Sequence, residues 1–108
     1  MTKSEAKIMR EEISAAIGGK SSSAHIGTWL QRPGVALEIN LTSKRNHRRI
    51  VVHKWDDEAT CEVRYITGDF WRDPDNAEEF SSRHDVAFSV PAIADAVAAI
   101  LPKEGDES

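Results

Sequence analysis

The chain has 108 residues, of which 40% are hydrophobic and 30% charged; this composition is typical of one folded domain and excludes disorder along the whole chain. A net charge of −4 excludes a protein that is basic throughout. Cys61 is the only cysteine, which excludes an internal disulfide, and no apolar run approaches the ~18 residues of a membrane span. Because the opening residues, MTKSEAKIMREE, lack the apolar stretch of a secretion signal, we expect a cytoplasmic protein with no membrane anchor.

Residues 4–17 predict an amphipathic helix. Apolar residues recur at helical spacing from Met9 to Ile17, and charged residues occupy the other side. Thr2 and Glu5 have the spacing of a capping box, which favours a helix that begins between them.

Four strands are predicted after a flexible link at residues 20–23. The clearest is the second, in which apolar residues alternate with small or polar ones from Val35 to Thr42, as expected for a strand with one buried face. Short connections between the strands indicate an antiparallel meander without crossover helices. We predict strands at 25–31, 35–42, 50–55 and 61–67, with turns at 32–34 and 56–59.

The second half of the chain predicts a loop, a strand and a helix. Residues 68–85 contain six acids and show no sustained period, which favours a long loop that is functional or mobile. Alternation returns at 86–90, and Pro91 then opens a helix with an apolar stripe that ends at Leu101. This stripe belongs to the core or forms the seam of a homodimer, because small chains often gain stability by pairing.

These elements predict an α+β protein: an antiparallel β-meander of four to five strands with an N-terminal and a C-terminal helix packed on it. We expect one domain over residues 1–103, followed by a tail, 104–108, that is disordered by composition.

Five basic residues fall within residues 44–55 of an otherwise acidic chain. If Ile50 and Val52 join the core, His53 and Trp55 face the opposite side of the sheet, since neighbours on a strand alternate. Cations beside an aromatic ring can follow phosphates and stack bases, so the hairpin predicts a surface for single-stranded nucleic acid. The competing interpretation is a solvated turn, with Trp55 packed under a helix. The predicted nucleic-acid contacts are Lys44, Arg45, Arg48, Arg49, His53, Lys54 and Trp55.

The acidic loop contains Phe70, Trp71 and Arg72 side by side. Large aromatic residues in a charged loop often anchor a partner protein, although rings of this size also fold back onto a sheet. The loop therefore predicts, as an alternative function, a protein-interaction module that engages a basic partner, such as a small regulator, an inhibitor or an immunity-type protein.

No catalytic or metal signature is present. None of the four histidines forms an i, i+4 pair or joins a C-x-x-C motif, and Cys61 on an alternating strand is typical of a small buried hydrophobe. The acidic turn at 56–58 lacks the glycine and the terminal glutamate of a calcium loop. We therefore expect no metal, no cofactor and no enzymatic activity.

Two segments carry a resemblance to a known family. Residues 49–55, RIVVHKW, form a basic-flanked strand that ends in an aromatic residue, and 86–91, VAFSVP, form a strand and turn that open a C-terminal helix. Within residues 34–101 this layout resembles the single-stranded-DNA-binding transcriptional coactivator family, that of positive cofactor four and its bacterial relatives. The resemblance implies a dimer formed through the last helix and a curved basic sheet that holds single strands. The residues that it implies as contacts are Arg48, Arg49, His53, Lys54 and Trp55.

The leading expectation is therefore a small, non-enzymatic regulatory module that binds single-stranded DNA or RNA through the basic hairpin as a homodimer. Neutralisation of phosphates by Lys and Arg supplies most of the affinity in such a module.

Overall fold

Five strands form one antiparallel sheet, in chain order from one edge to the other. The computed structural model describes residues 1–43, 48–67 and 80–101. A helix precedes the sheet and another follows it, which confirms the predicted α+β meander with a helix at each end. The predicted tail, 104–108, lies outside the described residues. The elements are α1 (Lys3–Ile17), β1 (Ser21–Trp29), β2 (Arg32–Asn40), β3 (Arg48–Trp55), β4 (Thr60–Thr67), β5 (Phe80–Ala87) and α2 (Val90–Ile100).

The hydrophobic core lies between one side of the sheet and the two helices. Alternation along β2 and β3 places Leu37 and Ile50 on that side, where both are fully buried. Helix α1 contributes Ile13, and α2 contributes Ile93 and Val97 from its predicted apolar stripe. Within the described ranges, no helix is long and apolar enough to cross a membrane.

The helix ends follow the local signals in the sequence. The backbone N–H of Glu5 donates to Thr2 Oγ1 at 3.2 Å, and that of Thr2 donates to Glu5 Oε1 at 3.0 Å, which confirms the capping box. Gly18 ends α1 with a left-handed φ of 75°. Ser89 caps α2 by accepting from the N–H of Ala92 at 3.3 Å.

The first hairpin turns at a different place from the one predicted. Leu30 and Gln31 form the two-residue loop, with φ of 53° and 65°, and residues 32–34 belong to β2. Two residues with positive φ match the twist of a two-residue hairpin, although glycine or asparagine is usual there. Gly34 instead allows close approach of β3, since a Cβ at this position would lie 2.6 Å from the Lys54 carbonyl oxygen. The predicted flexible link at 20–23 was also wrong, because β1 begins at Ser21.

The last strand begins earlier than predicted. It starts at Phe80 rather than at residue 86, so part of the predicted 68–85 loop is strand β5. A β-bulge lies where Cys61 and Val63 face this strand, and Asp85 there has a left-handed φ of 59°. Residues 80–85 show no alternation of apolar and polar residues, because most of them are polar and the bulge interrupts the regular pairing of β4 with β5. The rest of the predicted loop, 68–79, lies outside the described residues.

Candidate functional site

The two sides of the sheet differ in what packs on them. Helices α1 and α2 contribute to the core on one side. We call the opposite side the open face because the helix-side core does not include it, although Ile66, opposite Arg49 on that side, is fully buried. Ile50 and Val52 are fully buried in that core. Because side chains alternate along β3, Arg49, His53 and Trp55 lie on the open face, as the sequence predicts for a buried Ile50 and Val52.

Arg48 and Lys54 lie on the helix side instead. Arg48 Nε donates to the hydroxyl of the buried Tyr65 at 2.8 Å. Lys54 Nζ donates to two backbone carbonyl oxygens, one of them that of Trp55 at 2.9 Å, and stands 5.7 Å from the centre of the Phe88 ring. Both cations occupy even-numbered positions of β3, as Ile50 and Val52 do. Because side chains alternate along a strand, this numbering by itself predicts that the two cations lie on the helix side.

Arg49 reaches the open face but is 5% exposed. Its Nη1 donates to Glu38 Oε1 at 2.9 Å, in an ion pair across the β2–β3 ladder. A cation held in this way has its charge already balanced and would leave an unpaired buried carboxylate if it turned toward a ligand.

Five of the predicted site residues lie outside the described ranges. Of the predicted nucleic-acid contacts that are described, the structure brings only His53 and Trp55 together. The undescribed ones are Lys44, Arg45, Phe70, Trp71 and Arg72.

An aromatic cluster lies on the open face beside the first hairpin and consists of Trp29, His53 and Trp55. The His53 and Trp55 rings stack with centroids 4.0 Å apart at 29°, and Trp29 meets His53 edge-on at 4.8 Å. Trp55 Nε1 donates to the Trp29 carbonyl oxygen at 3.4 Å. Trp29 is not among the predicted site residues, because the predicted turn at 32–34 lies two residues beyond the observed one at Leu30 and Gln31.

Arg32 completes this cluster, with its guanidinium carbon 4.7 Å from the centre of the Trp55 ring. Its Nη2 donates to Asp57 Oδ1 and to Glu58 Oε1, both at 2.7 Å. These hydrogen bonds raise the pKa of Arg32 above its usual range, and Arg32 lowers the pKa of Asp57. Trp55 therefore stacks on His53 and contacts Arg32, whose charge two carboxylates balance.

Burial lowers the pKa of the His53 imidazole below the usual value, and the nearby charge of Arg64 lowers that pKa further, against the opposing effect of Glu62. The Nε2 atom of His53 is buried and has no hydrogen-bond partner among the described residues. Protonation of His53 in the folded state would therefore leave a charged N–H at Nε2 without a hydrogen-bond acceptor among the described residues.

A cleft of about 300 Å³ opens beside the bulge, between the aromatic cluster and β5. Glu62 lies there, 9% exposed, with Arg64 paired to one carboxylate oxygen and His84 Nδ1 2.8 Å from the other. A glutamate and a histidine in contact can pass a proton. The neighbouring thiol of Cys61 is no partner for this chemistry, since burial raises its pKa to about 11 and keeps it protonated. In the ranges that the structure describes, no three His, Cys, Asp or Glu side chains gather as metal ligands.

The outer edge of β1 is a second candidate site. Two hydrogen bonds fix the direction of its backbone groups: Leu41 N–H donates to the Arg48 carbonyl at 2.8 Å, and Asp56 N–H donates to the Pro33 carbonyl at 3.0 Å. The odd-numbered residues of β2 therefore bond to β3, and its even-numbered residues bond to β1. In the observed register, each even-numbered residue of β2 lies opposite an odd-numbered residue of β1. The odd-numbered residues of β1 therefore form the hydrogen bonds to β2. The backbone N–H and C=O groups that point outward belong to Ser22, Ala24, Ile26 and Thr28.

A groove of about 400 Å³ runs between this edge and α1. Arg10 closes one end of it, because its Nη1 donates to Ser22 O at 2.9 Å and to Ser22 Oγ at 2.7 Å. Ala24 and Ile26 line the groove, and Ile26 is 44% exposed. This site is not predictable from the local sequence, because SSSAHIGTW contains no acidic residue, no Lys or Arg and no apolar run.

No family model, no curated protein and no solved structure matches this chain.

Proposed function

We propose that this chain is a non-enzymatic protein-interaction module whose β1 edge takes up an extended segment of a partner protein. The observation that carries the proposal is the outward-pointing backbone of Ala24, Ile26 and Thr28 on an edge strand. An extended chain placed beside such a strand becomes a sixth strand, joined to β1 by a fifth row of hydrogen bonds, and pockets for alternate side chains provide selectivity.

Natural proteins usually protect an edge strand with charges, a proline or a bulge, because an unprotected edge pairs with other chains. β1 spans nine residues, pairs with β2 over its whole length without a bulge, and contains no Lys, Arg, Asp, Glu or Pro. An edge of this kind is expected where pairing with another chain is the function.

Peptides selected from a random displayed library on the intact protein, then synthesised and measured by fluorescence anisotropy, test the proposal. We expect selected peptides to bind and to lose at least ten-fold in affinity to Ala24→Pro, which removes one outward N–H. Ala24→Ser keeps that N–H and should bind as the parent does. Circular dichroism and urea unfolding show that each variant is folded.

Methylation of the peptide backbone sharpens this test. In an added strand only alternate peptide N–H groups face β1, so methylating those nitrogens should abolish binding, whereas methylating the intervening nitrogens should not. Binding that ignores the methylation pattern, or that survives Ala24→Pro, would rule out addition of a strand to β1.

One observation favours a second candidate, the binding of single-stranded nucleic acid to the open face. The aromatic cluster presents the rings on which such surfaces stack bases, and since Asp57 and Glu58 balance the charge of Arg32, the cations would have to come from elsewhere. The resemblance of residues 49–55 and 86–91 to the coactivator family supports the same candidate, with a homodimer as its active form.

Lys44 and Arg45 are the cations to test for this second candidate. Replacing Arg48 and Arg49 as well would confuse binding with stability, because Tyr65 and Glu38 hold them. Anisotropy of a labelled single-stranded DNA oligonucleotide should show binding that weakens with salt and falls at least five-fold in the double variant Lys44→Ala, Arg45→Ala. No binding at the lowest salt would remove this candidate.

A further inference from the structure

We infer that the segment taken up by β1 is acidic, with carboxylates at alternate positions that face α1. This inference rests on the proposed function, since it concerns the partner of the same edge. It follows from the charge, the spacing and the limits of the groove between α1 and β1.

Three cations line the groove in an otherwise acidic chain: Lys3, Lys7 and Arg10. Their spacing of four and three residues puts them on one side of α1. Neither Lys3 nor Lys7 forms an ion pair with any residue of the described ranges, and the contact of Arg10 with the exposed Glu11 is long, at 3.9 Å. Among the described residues, the wall of the groove is therefore positive at Lys3 and Lys7, and only Arg10 has an acidic neighbour.

The spacing of these cations suits a strand. Along a helix, Lys3 and Lys7 are separated by about 6 Å of rise and Lys7 and Arg10 by about 4.5 Å. Side chains on one face of a strand recur about every 6.8 Å. Two or three acidic residues at alternate positions of an added strand can therefore each lie within reach of a separate long basic side chain.

The groove also limits the length and the other side chains of the segment. Arg10 already occupies the Ser22 carbonyl, so the open backbone extends from Ala24 to Thr28. Five to seven residues, roughly, suffice to cover that distance at the rise of a strand. The side chains on the opposite side of the added strand would face small or aromatic residues of β1 and need no charge.

A second copy of this chain fits the edge less well. If β1 paired with β1 of another molecule around a two-fold axis, the two α1 helices would lie side by side on the same face of the joined sheet. Their rows of Lys3, Lys7 and Arg10 would then approach each other, and like charges at close range oppose such pairing. A dimer is therefore an outcome that would overturn the inference.

Three labelled peptides of nine residues test the inference on the intact protein. In the first, glutamate alternates with valine; in the other two, glutamine or lysine replaces every glutamate. At low salt we expect the glutamate peptide to bind at least ten-fold more tightly than the glutamine peptide and the lysine peptide not to bind. At high salt the affinities for the glutamate and glutamine peptides should become nearly equal, because salt screens the charges.

Charge reversal provides the decisive variant. Lys3→Glu with Lys7→Glu should reverse the preference, so that the lysine peptide binds best, and should leave the glutamine peptide within two-fold of its original affinity. Arg83→Gln, on the other edge strand, is the matched control and should change none of the three affinities. Because Lys3 and Lys7 are exposed, we expect both variants to fold.

Each outcome separates the inference from the proposed function. Equal affinity for the glutamate and glutamine peptides, with loss of both in Ala24→Pro, would keep strand addition and overturn the acidic partner. If the variant with reversed charges still prefers the glutamate peptide, the carboxylates of the peptide do not bind at Lys3 and Lys7, and the inference is overturned too. Failure of every designed and library-selected peptide would overturn the proposed function itself. A dimer in light scattering that Ala24→Pro converts to a monomer would identify a second copy as the occupant.

Discussion

The two edge strands of the sheet differ in their protection. β5 has a bulge against β4, a left-handed residue at Asp85 and charged residues at Arg83 and Asp85, all of which oppose pairing with another chain. β1 pairs with β2 without interruption and exposes uncharged backbone along its outer side. One fold thus contains a guarded edge and an open one, and the proposed docking of a partner segment on β1 depends on this contrast.

The largest expected effect comes from the direction of the backbone groups in β1. Ser23 bonds to β2, so Ser23→Pro removes a ladder hydrogen bond, leaves the Glu38 carbonyl without its donor and should lower the free energy of unfolding by about 3 kcal/mol. Ala24 points its N–H outward, so Ala24→Pro should cost less than about 1 kcal/mol. Urea unfolding of the two variants measures the difference. If Ala24→Pro proved the more harmful, the outward assignment would be reversed and the docking proposal would lose its basis.

A smaller effect concerns the packing of the hairpin that carries the open edge. Gly34→Ala should lower the free energy of unfolding by about 2 kcal/mol, because the new Cβ meets the backbone of β3. Gly27 is the matched control: a Cβ there would lie 3.6 Å from the Trp29 ring, an ordinary contact, and the change should be near zero. Equal midpoints in urea for both variants would contradict the close approach of β2 and β3.

Much of the fold was predictable because its signals are local. Alternation of apolar residues from Val35 to Ile39 places β2, and the capping box at Thr2 places the start of α1. Leu30-Gln31 gave no turn signal, because neither residue is the glycine or asparagine that usually marks a positive φ. Pro33 and Gly34 gave a false turn signal. A proline near the start of a strand and a glycine at a close approach between strands have the same sequence pattern as a turn.

The candidate site was less predictable, since it depends on partners distant in the sequence. Arg49 was a plausible phosphate ligand until Glu38, eleven residues earlier, proved to hold it. The β1 edge depends on a register that only the correct turn establishes, so no inspection of SSSAHIGTW by itself could identify it. Charge density was thus a poorer guide to a free surface than the pairing of each charge.

The aromatic cluster predicts a pH dependence of stability. The pKa of His53 is lower in the folded state than in the unfolded chain, where the usual value is about 6.5. The unfolded state therefore binds more protons in this range, so stability is complete above about pH 6.5 and falls as the pH is lowered through it. The slope has an upper limit of about 1.4 kcal/mol per pH unit for one proton.

His53→Phe should remove this part of the pH dependence, because it keeps a ring between Trp29 and Trp55. His25→Gln, on the exposed part of β1, is the control, because it removes a histidine that lies outside the aromatic cluster. Urea midpoints between pH 5 and pH 8, roughly the range in which histidine titrates, provide the measurement. If the pH dependence of stability persists in His53→Phe, the proton that the unfolded state takes up belongs to another group.

The smallest effect returns to the guarded edge. Asp85 occupies the left-handed region at the bulge, where aspartate is tolerated, glycine is unstrained and a β-branched residue is not. Asp85→Val should therefore lower the free energy of unfolding by about 1 kcal/mol, whereas Asp85→Gly should stay within about 0.5 kcal/mol of the parent. The weak contact of Asp85 with Thr60 Oγ1, at 3.5 Å, contributes little to either value. Since both variants remove the same charge, a difference between them excludes the charge of Asp85 as its cause. Equal midpoints in urea would mean that β5 relaxes at this bulge without cost, and the bulge would then no longer count among the features that guard this edge.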